Sequence, residues 1–174
     1  SRVRPRTVDL PLCRPGFPSY RRTWQSGHPL ARLKIYFAGS IRGGREDRQK
    51  YLELIEFLST QAEVLTEHGG SKSLGGSGET ELHDNAIYQR DLEWLSSADA
   101  VVAEVTTPSL GVGYEIGIAE KLGKPILCLF DESRPGFRLS AMLSGNGKIQ
   151  VGRYQTLGEA KRQITEFVSS LPQT

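Results

Sequence analysis

A single carboxylate stands among glycines in the run VTTPSLGVGYEIG (residues 105–117). Apolar residues end just before it and a helical pattern follows, so Gly111, Gly113 and Gly117 mark a strand-to-helix turn. Glycine lets backbone N–H groups approach an oxyanion closely, and a helix N-terminus adds partial positive charge. Ser109 and Gly111, read as preceding the helix, can offer a hydroxyl and an N–H to one phosphate. Glu115 lies deeper, where it would face the part of a ligand beside the phosphate, held ionised by the positive helix end. An ionised carboxylate there can attack an anomeric carbon, with a second acid serving the leaving group. The plainer reading is a first-turn glutamate that stabilises the helix dipole by about 0.3–1 kcal/mol.

A second glycine-rich stretch, GSIRGG (39–44), offers matching chemistry. Gly39, Ile41 and Gly43 can present backbone, Ser40 a hydroxyl and Arg42 a guanidinium fork to a phosphate. The spacing is not that of a triphosphate loop, so one phosphate group fits better. The alternative is a turn of purely geometric purpose with Arg42 solvated. A second acid is available in Asp91 of YQRDLEWL, one turn from Ile87 and Leu95 at the edge of an apolar stripe. Such an acid is a candidate for a raised pKa, or a boundary residue paired with Arg90. Tyr36 can donate into the same crevice or pack as core. His68 can reach a base or be a plain loop histidine, and Trp94 reads as core. GVGYEIG with Asp131 imitates a dinucleotide fingerprint, but it follows the third strand and puts Glu115 where a pyrophosphate should lie. Three scattered histidines and no CxxC give no zinc pattern.

These residues need elements to position them. Strand patterns fall at 33–38, 62–66, 99–105, 125–130 and 148–154. Helical patterns fall at 45–61, 85–98, 113–123 (closed by Gly123), 138–143 and 156–171. Alternation of this kind predicts an α/β, Rossmann-like fold: a five-stranded parallel sheet of flavodoxin-type order 2-1-3-4-5 with helices on both faces. The chain then reverses between strands 1 and 3, and ligands bind above their carboxyl ends, between GSIRGG and TTPSLGVG. A polar loop at 67–84, with five glycines, either shapes a site or stays disordered.

The chain of 174 residues suits one such domain, expected at 33–171. Residues 1–33 hold seven Arg and one acid, which leaves 15 bases and 19 acids elsewhere, a net −4. The basic balance therefore belongs to the front segment, and the domain lacks the basic face of a duplex nucleic-acid binder. Residues 1–32, with five prolines, read as a disordered basic tail in preference to a targeting signal. No apolar run approaches the ~20 residues of a membrane span. Cys128 sits in an apolar strand pattern, so a bridge to Cys13 is not expected. A cytoplasmic or nuclear address follows, or a mitochondrial one if the tail is a transit peptide.

Together, YFAGSIRGGREDR, VLTEH, QRDLEWL, ADAVVAEVTTPSLGVGYEIG and ILCLF…RLSAM resemble the 2′-deoxynucleoside 5′-phosphate N-hydrolases of the nucleoside 2-deoxyribosyltransferase superfamily. The resemblance runs from about Leu33 to Phe167. It implies a homodimer, without metal or cofactor, that cleaves the N-glycosidic bond of deoxynucleoside monophosphates. By position, Glu115 resembles the nucleophile, Asp91 the acid that contacts the sugar and assists the leaving base, and Tyr36 the active-site tyrosine. Ser40, Arg42, Ser109 and Gly111 resemble the phosphate site, and Ser140 a serine contributed by the other subunit. A deoxyribosyltransferase and a non-catalytic nucleotide-binding module are the competing readings. The 69–82 loop and the tail match no family motif.

Overall fold

The computed structural model describes residues 32–40, 44–67 and 83–172. Expectations for the tail through residue 31, for Ile41, Arg42 and Gly43, and for His68 and the 69–82 loop lie outside the described residues. Five parallel strands form one sheet: β1 (Lys34–Gly39), β2 (Glu63–Leu65), β3 (Ala100–Glu104), β4 (Ile126–Asp131) and β5 (Gln150–Tyr154). Their order is β2-β1-β3-β4-β5, the order expected from the sequence. The helices are α1 (Gly44–Ser59), α2 (Asp84–Ser97), α3 (Leu110–Lys121), α4 (Ala141–Ser144) and α5 (Leu157–Ser170).

Strand residues point alternately to two faces, and both faces are covered. Ile35, Phe37, Val102, Leu127 and Leu129 pack with Tyr51, Leu54 and Leu58 of α1 and Ile164 and Phe167 of α5. Tyr36, Ala38, Val101, Ala103 and Cys128 pack on the other face with Leu95 of α2 and Val112, Ile116 and Ala119 of α3. Burial pushes the Cys128 thiol up to about 12, as suits a packing residue. This two-sided burial is why the central strands read as continuous apolar runs.

The same alternation decides where polar residues at the strand ends go. Tyr36 faces α3, and Ser40 continues its parity. Glu104 of β3 and Asp131 of β4 share parity with Val102 and Leu129, so they face α1. Asp131 is therefore turned away from the α3 loop, unlike the acid of a dinucleotide fingerprint.

Two helix starts differ from expectation. Helix α3 begins at Leu110, not 113, because the Ser109 side chain caps it and accepts the Val112 N–H at 3.4 Å. Gly111 and Gly113 are thus helical. Helix α4 begins after Ser140, whose hydroxyl accepts the Met142 N–H at 3.3 Å. Gly123 follows α3 with φ of 70°, the left-handed conformation that ends helices. A capping box of Thr156 and Glu159 starts α5.

Candidate active site

A cleft of about 470 Å³ opens at the carboxyl end of the sheet, where β1 and β3 lead in opposite directions. Ser40 after β1, Glu67 after β2, the 108–112 segment after β3, and Glu115 line it. Its size falls within the range of about 300–1,000 Å³ typical of small-molecule sites.

The Tyr36 hydroxyl donates to Glu115 Oε1 at 2.9 Å. β1 supplies the donor and α3 the acceptor, 79 positions apart in the chain. Tyr36 is both core and site: its ring is buried against Ala38 and Val112 while its hydroxyl reaches the cleft residue. Burial, with the facing Glu115 carboxylate, pushes the Tyr36 phenol above its ordinary range, so it stays a donor. Glu115 is itself raised to about 7. Desolvation is the largest cause; the tyrosine hydrogen bond opposes it, and the Glu67 and Asp91 charges add to it. The expectation that the helix end keeps Glu115 fully ionised is corrected by this. With α3 starting at Leu110, Glu115 lies in the second turn, beyond the reach of the terminal dipole.

Asp91 of α2 joins the pair. One carboxylate oxygen from each of Glu67, Asp91 and Glu115 lies within 4.8 Å of the others. Arg90 holds Asp91 at 2.9 Å, reaches Glu67 at 3.8 Å and stacks over the Trp94 ring at 4.7 Å. Of the two readings of Asp91, the pairing with Arg90 is present, and its carboxylate also lies beside that of Glu115. Desolvation and the Asp91 charge raise the Glu67 pKa, with Arg90 opposing. Among the described residues this trio has the donor type and spacing for a hard cation, but Arg90 already supplies positive charge beside two of its members.

Glu67 is the residue that sequence reasoning passed over in favour of its neighbour His68. The signal for it was topological: in the order 2-1-3, the end of β2 lies beside the end of β1.

The phosphate-site expectations divide. Ser40 and Ser109 line the cleft with Gly111. Helix geometry leaves the Leu110 and Gly111 N–H groups without intrahelical acceptors. A Cβ on Gly111 would meet only Ser109 Oγ at 3.8 Å, so packing among the described residues does not require glycine there. Gly39 has a packing reason: a Cβ would come within 3.0 Å of the Tyr51 ring. Ser140 is exposed and is not among the cleft-lining residues.

The family model for nucleoside 2-deoxyribosyltransferases matches residues 35–150, which holds every residue of this cleft. The chain belongs to that family. Within the nucleoside 2-deoxyribosyltransferase family, it is similar to a 5-hydroxymethyl-dUMP N-hydrolase of Tetraodon nigroviridis, 48% identical over 141 residues, which spans 79% of this chain and 99% of the relative. A 5-hydroxymethyl-dUMP N-hydrolase of Homo sapiens is 45% identical over 159 residues, covering 89% of this chain and 90% of the relative. The CMP N-glycosidase of Clostridium botulinum shares the fold at 18% identity, with a TM-score of 0.54 over 76% of this chain and 98% of that one.

Proposed function

We propose that the chain hydrolyses the N-glycosidic bond of 2′-deoxynucleoside 5′-monophosphates, giving the free base and 2-deoxyribose 5-phosphate. The observation that carries this reading is the Tyr36–Glu115 hydrogen bond at 2.9 Å, set in a cleft beside a capped helix N-terminus. This arrangement supports an oriented carboxylate nucleophile next to an oxyanion site. The relatives named as N-hydrolases supply the bond type.

In the proposed reaction Ser40, Ser109 and the first-turn N–H groups of α3 hold the 5′-phosphate, with Arg42. Ionised Glu115 attacks the anomeric carbon. The bond from that carbon to the base nitrogen breaks, and its electron pair leaves with the base. Asp91, oriented by Arg90, contacts the sugar and assists that departure. A glutamyl-deoxyribosyl ester results, and water cleaves it to 2-deoxyribose 5-phosphate. Absence of the 2-hydroxyl eases formation of the oxocarbenium-like transition state. The reading assigns recognition of the base to His68.

The enzyme is read as a homodimer in which Ser140 of one copy completes the cleft of the other. Exposed apolar side chains support this: Leu110 is 96% exposed, Met142 81% and Tyr114 58%. A deoxyribosyl transfer to a second base is favoured by the description of the matching family model. It would show as dependence on an acceptor base.

The test is a panel of deoxy- and ribonucleoside monophosphates, including 5-hydroxymethyl-dUMP, with 5′-hydroxyl controls and released base measured. Glu115→Gln should still bind nucleotide, with kcat reduced by about 10³-fold or more. Near-normal turnover by that variant removes Glu115 as nucleophile. Ribonucleotide cleavage as fast as deoxynucleotide cleavage contradicts the 2-deoxy reading.

A further inference from the structure

A second cluster of charge lies on the α1 face of the sheet, outside the reacting pair. Lys50 Nζ stands 3.3 Å from Glu104, 3.6 Å from Asp47 and 3.7 Å from Asp131. Tyr154 donates to Glu104 at 2.9 Å, and Arg134 pairs with Asp47. Glu104 is fully buried and Asp47 nearly so. Groups this costly to bury call for a reason beyond stability.

Their connections supply one. Asp47 is the fourth residue of α1, which begins at Gly44. Its Oδ2 accepts the Thr107 hydroxyl at 2.6 Å. The neighbouring Thr106 hydroxyl donates to Glu104 and accepts the Asp131 N–H at 2.7 Å. Two consecutive threonines thus fasten the segment that leads through Pro108 to Ser109, the cap of α3. Asp47 thus ties the beginning of α1 to the segment that leads into the cleft.

We propose that Asp47, held by Lys50 and Arg134, is a positioning residue that fixes the 106–109 segment, which helps receive the 5′-phosphate, acting through Thr107. The inference rests on the phosphate-site reading above. Asp47 does not touch substrate; it acts by holding the 106–109 segment. Losing its grip lets Ser109 and the N-terminus of α3 shift relative to Ser40, which loosens the phosphate site first. The reacting bond lies deeper, at the Tyr36–Glu115 pair that β1 and the second turn of α3 hold.

Asp47→Asn unbalances two cations and risks the fold, so the test uses Thr107→Val and Thr107→Ser in the full chain. The readouts are kcat and KM for a deoxynucleoside monophosphate and the inhibition constant of inorganic phosphate. Thr107→Val is expected to raise KM and the phosphate constant together by about tenfold, as for one lost hydrogen bond to a charged acceptor, with kcat held within about twofold. Thr107→Ser keeps the hydroxyl and should match the unaltered protein. Unchanged constants in Thr107→Val, equal losses in Thr107→Ser, or a fall in kcat alone each overturn the proposal. If the unaltered protein is not inhibited by phosphate and cleaves 5′-hydroxyl nucleosides equally well, the phosphate-site reading fails and takes this one with it.

Discussion

Glu115 binds its proton more tightly than a solvated glutamate does, and the reason is burial. With a pKa raised to about 7, the proposed nucleophile is ionised in roughly half the molecules at neutral pH. For the free enzyme, kcat/KM should therefore rise with pH through about 7 on the acid side. The Tyr36 hydrogen bond opposes that rise in pKa because it stabilises the carboxylate. Tyr36→Phe removes the bond, preserves the buried ring and leaves desolvation unopposed. The acid limb of the profile should then move upward by about one pH unit. A pH–rate titration of the two proteins checks this, and an unmoved or lowered limb would refute it. At this scale the sequence was informative: Glu115, Tyr36 and Asp91 were each singled out by type and place, and the fold brings them together. The proton affinity of Glu115 was not legible, because burial belongs to the assembled cleft.

Elements show where local pattern suffices and where it fails. β1, β3 and β4 were legible because both faces of each are buried, which writes an unbroken apolar run. The start of α3 was misjudged because Gly111 and Gly113 are poor helix formers and hid the cap that Ser109 supplies. Glu67 was missed for a different reason: its place depends on the lateral order of strands, which no local window contains. The Lys50 cluster was likewise invisible, since α1, β3, β4 and β5 each contribute to it. Lys50→Met would leave Glu104 and Asp131 without their cation, and Asp47 with Arg134 alone. Breaking a buried pair of this kind costs about 3–5 kcal/mol, which denaturant titration would read as a lowered midpoint. A midpoint unchanged from that of the parent protein would show that the lysine charge is dispensable.

For the whole molecule, the sheet order divides its carboxyl edge into two working faces. The carboxylates of Glu67, Asp91 and Glu115 meet on the α2 and α3 side, and Asp47, Glu104 and Asp131 meet Lys50 on the α1 side. Ser140, on the exposed start of α4, belongs to neither face. The dimer reading predicts complementation. Ser140→Ala and Glu115→Gln proteins, each impaired alone, should regain turnover when unfolded together and refolded as a mixture, because a mixed dimer then carries one intact site. No regain above the sum of the parts would place Ser140 outside the shared site.

The bond between the Tyr36 hydroxyl and Glu115 joins the first strand to the helix beyond the third, across the chain's reversal. A partly assembled chain that lacks either the central strand pair or the docking of that helix lacks the tyrosine–glutamate pair on which the proposed reaction depends. Appearance of released base after dilution from denaturant would thus serve as a clock, timing the moment at which the middle of the molecule closes.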